Sequence, residues 1–392
     1  MGLTATTRFQ SSRIVEFKES VIREMTRLAI QHGAVNLAQG FPDFPAPAEI
    51  KEAARQAISD DWNQYSITWG LKPFRDAIVE YHRHFHGITL DPERELTVCC
   101  GATEGMLAVM LSLLNQGDEV VVFEPFYENY WPDSKLCGAD CKYVTLHPPD
   151  WKFDPEALRR TFSPRTRAVI LNSPNNPTGK VFTRAELQQI VDLAEEFDAF
   201  IITDEIYEHI IFDGETHVPP MTLPGGRNRS VLINALSKSY SVTGWRIGWV
   251  AAAPELSASI RKLHDFATVN APTPLQQAGI TALHMPDSYY AELAAMYQGK
   301  RDQMVGILEG VGLRCSVPKG AYYIMADISG FDFPDDTAFC MHLVKEIGVS
   351  AVPGSSFFSR PEDGKHLVRF CFCKKQETLD AAGERLARLK RG

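Results

Sequence analysis

Between Leu96 and Ala252, short apolar runs alternate with helix-like stretches, and this alternation limits the available folds more than any other feature. The runs are LTVCC, VVVFEP, RAVILN (167–172), AFIIT (199–203), VLINAL (231–236) and RIGWVAA (246–252). Near-continuous apolar character marks strands buried on both faces. The stretches between them carry helix signals. A helix from about Thr103 to Asn115 has Gly117 as its stop; Asp154 and Pro155 supply an N-cap and a first-turn proline; Thr183 and Glu186 form a capping box for helix 184–196. Strands alternating with helices predict an α/β fold with a mostly parallel sheet covered on both faces.

The flanks read differently. An amphipathic helix over 18–32 stops at Gly33, and VNLAQGFPDFPAP (35–47) is irregular yet apolar. Helices follow over 49–58 and from Pro73 to His86, with a polar-aromatic loop, Asn63 to Gly70, between them. From about Pro286 the pattern becomes a long helix (287–310), a strand in GAYYIMADI, and a helix from Asp336 that Gly348 stops. Strands in VSAVPG and HLVRFCFC and a terminal helix over 376–390 complete the chain. This predicts a smaller α+β domain over 287–392, a large domain over 46–286, and an N-terminal arm (1–45) that packs with the small domain.

Composition narrows the function. The 392 residues carry a net charge of -9 and no basic block, which argues against a nucleic-acid partner. No apolar run approaches a membrane span, and the N-terminus lacks an apolar signal core, so a cytoplasmic location is expected. The eight cysteines form no pair of CxxC units, and no metal site is expected. His82, His84 and His86 lie in HRHFH, where a solvated helix end accounts for them.

Chemistry concentrates in SKSYSVTGWRIGWV (237–250), just past the strand VLINAL. A lysine there, Lys238, suits an imine, and Arg246 suits a phosphate. Together they describe a seat for pyridoxal 5'-phosphate, although a solvated loop with two ordinary cations has the same sequence. Other strand ends add to the picture, because open α/β sheets bind ligands there. Gly101, Ala102 and Thr103 open a helix whose N–H groups can cradle a phosphate, or simply make a tight turn. Tyr127 can stack on a planar ring. Asn176, in SPNNPTG, and Tyr207 can donate to a ring oxygen. Asp204 ends an apolar strand and needs a charged partner, which the pyridine nitrogen would supply; a helix N-cap is the plainer reading. Arg369 is a lone cation in LVRFCFC, matched to an α-carboxylate or to a structural salt bridge.

The chain resembles the fold-type I, class I/II aminotransferases over nearly its whole length. It is most similar to the subgroup of kynurenine and glutamine transaminases, methionine aminotransferases and succinyldiaminopimelate aminotransferases. The resemblance rests on VNLAQGFPDFP (35–45), NQY (63–65), the GAT turn, GDEVVVFEPFY (117–127), NSPNNPTGKVF (172–182), TDEIYEH (203–209), SKSYSVTGWRIGWV (237–250) and HLVRFCFCK (366–374). It implies a large cofactor-binding domain with a mostly parallel seven-stranded sheet, plus the smaller α+β domain. It implies that Lys238 holds the cofactor covalently and shuttles a proton, that Asp204 pairs with the pyridine nitrogen, and that Asn176 and Tyr207 bond the ring oxygen. Tyr127 would stack on the ring, and Ala102, Thr103 and Arg246 would hold the phosphate. Arg369, with Asn176 and the Gly40 backbone, would bind the substrate carboxylate. Tyr65 would reach the phosphate of a partner subunit's cofactor, so a homodimer with shared sites is implied.

The departures bear on phosphate and substrate. Ala235 stands where many relatives have a phosphate-binding serine, a role that falls to Ser237. Aromatic positions of the kynurenine-type pocket align with Ile22, Thr103, Val269 and Asn270, so a less aromatic pocket is expected. No arginine is evident for a side-chain carboxylate. The resulting expectation is a ping-pong aminotransferase acting on apolar, sulfur-containing, glutamine or aromatic amino acids and a 2-oxo acid. A β-lyase or biosynthetic enzyme of the same fold, or a succinyldiaminopimelate- or aspartate-type transaminase, is the alternative. A non-catalytic binding protein on this fold would need a DNA-binding extension, and a nicotinamide dehydrogenase a GxGxxG after the first strand; neither is present.

Overall fold

A computed structural model describes residues 9–389. Its centre is a seven-stranded sheet, made from Leu96–Cys99, Glu119–Glu124, Asp140–Thr145, Thr166–Asn172, Phe200–Asp204, Ser230–Ala235 and Gly248–Ala251. Numbered along the chain, these strands lie side by side in the order 1-7-6-5-4-2-3. Neighbours run parallel, except that Gly248–Ala251 is antiparallel to both strands beside it. Every residue of Glu119–Glu124, Leu96–Cys99 and Ser230–Ala235 is buried, as strands covered on both faces must be. The α/β expectation therefore holds.

The third strand, Asp140–Thr145, escapes the apolar pattern because it is an edge strand with a part-exposed polar face. The helix before it, Tyr130–Cys137, is short and contains Pro132. Expected ends shift slightly. The helix after the GAT turn begins at Gly101 and ends at Leu113, and Gly117 (φ 89°) lies just beyond it. The last strand of the sheet narrows to Gly248–Ala251, leaving Arg246 outside it in left-handed conformation (φ 55°). The terminal helix runs over Gln376–Leu386. No helix among the described residues is long and apolar enough to cross a membrane.

A second sheet, antiparallel, orders Val352–Pro353, Leu367–Cys371, Tyr323–Asp327 and Arg314–Ser316. The helix Val21–His32, capped by Ser20 and closed by Gly33 (φ 60°), delivers the chain to Val35–Asn36, which pairs in parallel with Val349–Ser350. One apolar core joins the two sheets, with Val121, Phe123, Leu171 and Phe182 on one side and Tyr322, Ile324, Phe370 and Phe372 on the other. That continuity fixes Leu367–Cys371 against the ends of the large sheet.

The histidine run departs from expectation. His84 is exposed, as a solvated helix end requires, but His82 and His86 are buried. Trp249 Nε1 donates to His82 Nε2 at 2.9 Å, and His86 Nε2 lies 2.5 Å from Glu208 Oε2. Their partners sit more than a hundred positions away in sequence, so local periodicity could not find them.

Candidate active site

Asp204 is the last residue of its strand, beside Asn172 and Ile233 on the two neighbouring strands. The Asn172 side chain donates to the Asp204 carbonyl at 2.9 Å, and its own oxygen accepts from the Asn176 N–H at 2.7 Å. One asparagine thereby seats the loop that carries Asn176. The Asp204 carboxylate takes the Tyr130 hydroxyl at 2.9 Å and only a long contact, 3.5 Å, from the Ile206 N–H. Burial outweighs both and pushes this carboxyl up to about 6. It is not a helix N-cap, since no helix starts there.

Lys238 leaves the end of Ser230–Ala235 into the same space. Burial pulls its ammonium down to about 8. Among the described residues its only hydrogen bond is a long one, 3.3 Å, to the Gly40 carbonyl, and the rings of Tyr207 and Tyr322 flank it at 5.6 Å each. Lys238 and Asp204 feel each other's charge, yet they form no ion pair among the described residues. A buried acid and a buried base held apart in this way are both short of a partner.

At one end of the space the helix Gly101–Leu113 begins. Gly101 (φ 81°) is obligatory: a Cβ there would lie 2.3 Å from Arg246 Nη2. Arg246 donates to the Thr243 carbonyl at 2.9 Å and the Cys100 carbonyl at 3.4 Å, which leaves its fork beside the helix start. Gly248 permits equally close approach, because its Cβ would lie 2.8 Å from the Ala102 nitrogen. Exposed helix N–H groups with an adjacent guanidinium make an anion cradle.

At the other end Arg369 is fully buried between Tyr323 and Phe357, 4.3 and 4.8 Å from their ring centres. It donates to Asn176 Oδ1 at 2.9 Å and the Ala38 carbonyl at 2.6 Å, and its Nε has no partner. Both partners are neutral, so a structural salt bridge does not account for it. The Tyr207 and Tyr323 hydroxyls meet at 3.0 Å, and Gly40 is glycine because a Cβ would collide with Tyr323.

These groups line one cavity of about 380 Å³. Of the residues singled out in the sequence, Lys238, Asp204, Tyr207, Asn176, Tyr127, Ala102, Thr103, Ser237, Arg246, Arg369, Gly40 and Ile22 line it, as does Ala235. Burial pushes the Tyr127 hydroxyl up to about 12. Two residues stand elsewhere. Tyr65 is 79% exposed, and Asn270 lies outside the cavity. The Asn270 amide is committed to the Ala271 carbonyl at 2.7 Å and to Ser66 and Thr273 at 3.2 Å, next to the loop that carries Tyr65.

The sequence reading missed Arg23, Tyr130, Asp133, Asn172 and Tyr323, all of which line the cavity. Tyr127, Tyr130 and Asp133 recur at helical spacing, and that signal could have found the last two. Asp133 is buried with one carboxylate oxygen unpartnered, and burial pushes it up to about 7. Arg23 stands beside Ile22, a position the resemblance had already flagged.

Comparison with known proteins agrees with this geometry. The family model described as aminotransferase class I and II matches residues 32–386. The solved structure of N-succinyldiaminopimelate aminotransferase from Mycobacterium tuberculosis superposes with a TM-score of 0.94 at 39% identity, covering 96% of this chain and 99% of that one. The methionine aminotransferase of Escherichia coli is 36% identical over 378 residues, 96% of this chain and 98% of its own. Kynurenine–oxoglutarate transaminase 1 of Rattus norvegicus is 34% identical over 418 residues, 98% and 99% of the two chains.

Proposed function

We propose, from the premise that this chain belongs to the class I and II aminotransferase family and is a pyridoxal-phosphate-dependent transaminase, that the cavity described above is its active site. The observation that carries this reading is the pairing of Lys238 and Asp204, both buried in one cavity and neither neutralised by the other. The residues fit the cofactor. Asp204 is a buried carboxylate short of a cation, Lys238 is a buried amine with one long hydrogen bond, and the missing Cβ of Gly101 lets the Arg246 guanidinium close on the helix start.

When bound, pyridoxal phosphate supplies an electron sink for negative charge developing at the substrate α-carbon. The chain's own groups position that chemistry. Asp204 is the anionic partner of the pyridine nitrogen, and Tyr130 holds its carboxylate in place. Asn176 and Tyr207 would donate to the ring oxygen, and Tyr127 would stack on the ring. The Ala102 and Thr103 backbone, Ser237 and Arg246 would hold the phosphate. Arg369 orients the α-carboxylate, helped by Asn176 and the Gly40 backbone. Lys238 Nζ, drawn down to about 8, is neutral in part near neutral pH, so it can take the α-proton of the bound amino acid.

The amino donors in this proposal are apolar, sulfur-containing, glutamine or aromatic amino acids, in keeping with relatives named for methionine and kynurenine. A homodimer is part of the proposal. Trp62, Tyr65, Ile67, Phe266 and Val269 are exposed, and Thr68 bonds Asp265 at 3.0 Å, so the two loops share one surface. An apolar surface of this kind suits a second copy and would bring Tyr65 to a neighbouring site. A cytoplasmic location fits eight free cysteines. Residues 46–286 would form the large domain and the segment from 287 onward the small one, with the N-terminal arm that ends at residue 45 packing against the small domain.

Lys238→Ala tests the reading. Turnover should fall by at least about 10⁴-fold, and the visible absorbance of the lysine-bound cofactor should vanish. A variant that keeps either one places the chemistry elsewhere.

A further inference from the structure

The Tyr207 and Tyr323 hydroxyls come from distant parts of the chain and meet in the cavity wall. Both side chains are buried, and among the described residues neither hydroxyl has a second hydrogen-bond partner. Two hydroxyls carry two protons. One closes the 3.0 Å bond between them, and the other is left to the cavity. The direction of that single bond decides which tyrosine can donate to a ligand.

The surroundings of the pair set the direction. A cation over a phenol ring favours charge on its oxygen and makes that hydroxyl the better donor. Arg369 lies 4.3 Å from the Tyr323 ring centre, whereas the cation over Tyr207, Lys238, is 5.6 Å away. Burial raises both phenols, but the Arg369 charge works against that rise at Tyr323, while the Asp204 charge adds to it at Tyr207. Gly40 leaves the notch that the Tyr323 hydroxyl fills, since a Cβ there would run into it. Arg369 sorts an amide in the same way. It donates to Asn176 Oδ1 at 2.9 Å, so the Asn176 NH2 group is turned away from the guanidinium.

We propose that Tyr323 is a positioning residue, whose hydroxyl donates to Tyr207 Oη and leaves the Tyr207 proton for the ring oxygen of the cofactor. Beyond holding a carboxylate, Arg369 then orients both ring-oxygen donors, Asn176 directly and Tyr207 through Tyr323. A hydroxyl that accepts one hydrogen bond donates the next more strongly, so the ring oxygen is better held as an anion. This inference rests on the aminotransferase reading of the cavity.

Tyr323→Phe, which keeps the ring, tests it in the cofactor-loaded enzyme. The visible band of the lysine-bound cofactor is followed against pH, and its midpoint reports the proton on Lys238 Nζ. An anionic ring oxygen attracts that proton, and donors to the oxygen weaken the attraction. The substitution should therefore raise the midpoint by roughly 0.1–0.7 pH units, about a tenth to a third of a charge-assisted bond. Were the bond reversed, with Tyr207 donating to Tyr323, the substitution would release the Tyr207 proton to the ring oxygen and lower the midpoint. A fall, or no change, overturns the proposal. In a Tyr207→Phe background the same substitution should leave the midpoint where it is. A rise there as large as in the wild type also overturns it, because Tyr323 would then act on the cofactor directly. The reading beneath the proposal fails separately, if the wild type shows no visible band that Lys238→Ala removes.

Discussion

Asp204 and Tyr207 face the cavity, while Glu205 and Glu208, their neighbours in sequence, belong to a second buried cluster. In that second cluster the carboxylates are fully engaged. Glu205 accepts from Thr203 at 2.7 Å and lies 2.7 Å from His217 Nε2. Glu208 accepts from Tyr81 and Asn234 and pairs with His86. Burial works against charge on Glu208, but His86 wins and holds it well below the usual carboxylate range. On the cavity side Asp133 Oδ2 and Arg369 Nε have no partner among the described residues, and Asp204 Oδ1 and Lys238 Nζ hold contacts of only 3.5 and 3.3 Å. The two clusters differ in their carboxylates: Glu205 and Glu208 each meet a histidine, while Asp204 meets no cation among the described residues. The matched carboxylates hold the scaffold, and the unmatched one awaits a ligand.

That contrast can be broken at three places. The largest effect is expected at Asp204→Asn, where activity should drop roughly 10³-fold, about 4 kcal/mol of barrier. The cofactor-free protein should instead gain stability. The carboxyl's folded value of about 6 lies above its ordinary 3.8, so the cost of the buried charge is absent below the lower value and full above the higher. Urea unfolding of the cofactor-free variant above pH 6 should therefore show a gain of roughly 1–3 kcal/mol. A loss at that pH would mean the carboxylate is already satisfied.

Glu208→Ala should do the reverse. Removing one partner of a buried pair should cost roughly 3–5 kcal/mol, equally with and without cofactor. Thermal unfolding of both forms decides it, since a loss confined to the loaded form would move Glu208 into the active site. The smallest effect concerns acid. Burial pulls His82 to about 3 and His209 to about 4, both below their unfolded value. Unfolded chains then bind more protons, so stability is intact above about pH 6.5 and declines as pH falls toward 4. His82→Gln keeps an acceptor for Trp249 and should lessen that decline by roughly 1–3 kcal/mol, measured by urea midpoints across the range.

The sequence showed the cavity side of this comparison better than the scaffold side. Lys238, Asp204 and Arg369 stand out because each is a lone charge at or inside an apolar strand, where an ordinary chain has no reason to put one. The His–Glu cluster did not stand out, because Tyr81 and His86 reach Glu208 from a helix more than a hundred positions away. Asp140–Thr145 was missed for the opposite reason, an edge strand needing little apolar character. Arg23 was invisible as a pocket residue because only the packing of Val21–His32 onto Val349–Ser350 turns that first turn inward.

The irregular segment after that first helix has a further consequence. Carbonyls from Ala38 to Phe41 accept from Arg369, Cys371, Lys374, Tyr322 and Lys238, so the segment is pinned to the chemical centre by five separate side chains. Ser20, Ile22 and Arg23 hang from the far side of that anchor. Changes at these positions alter the rim of the cavity and leave the anchored carbonyls where they are. Selection on substrate range thus has a small region to act on, separated from the catalytic groups by a fixed hinge of backbone, and a sequence library confined to residues 20–23 is the natural place to redirect this enzyme.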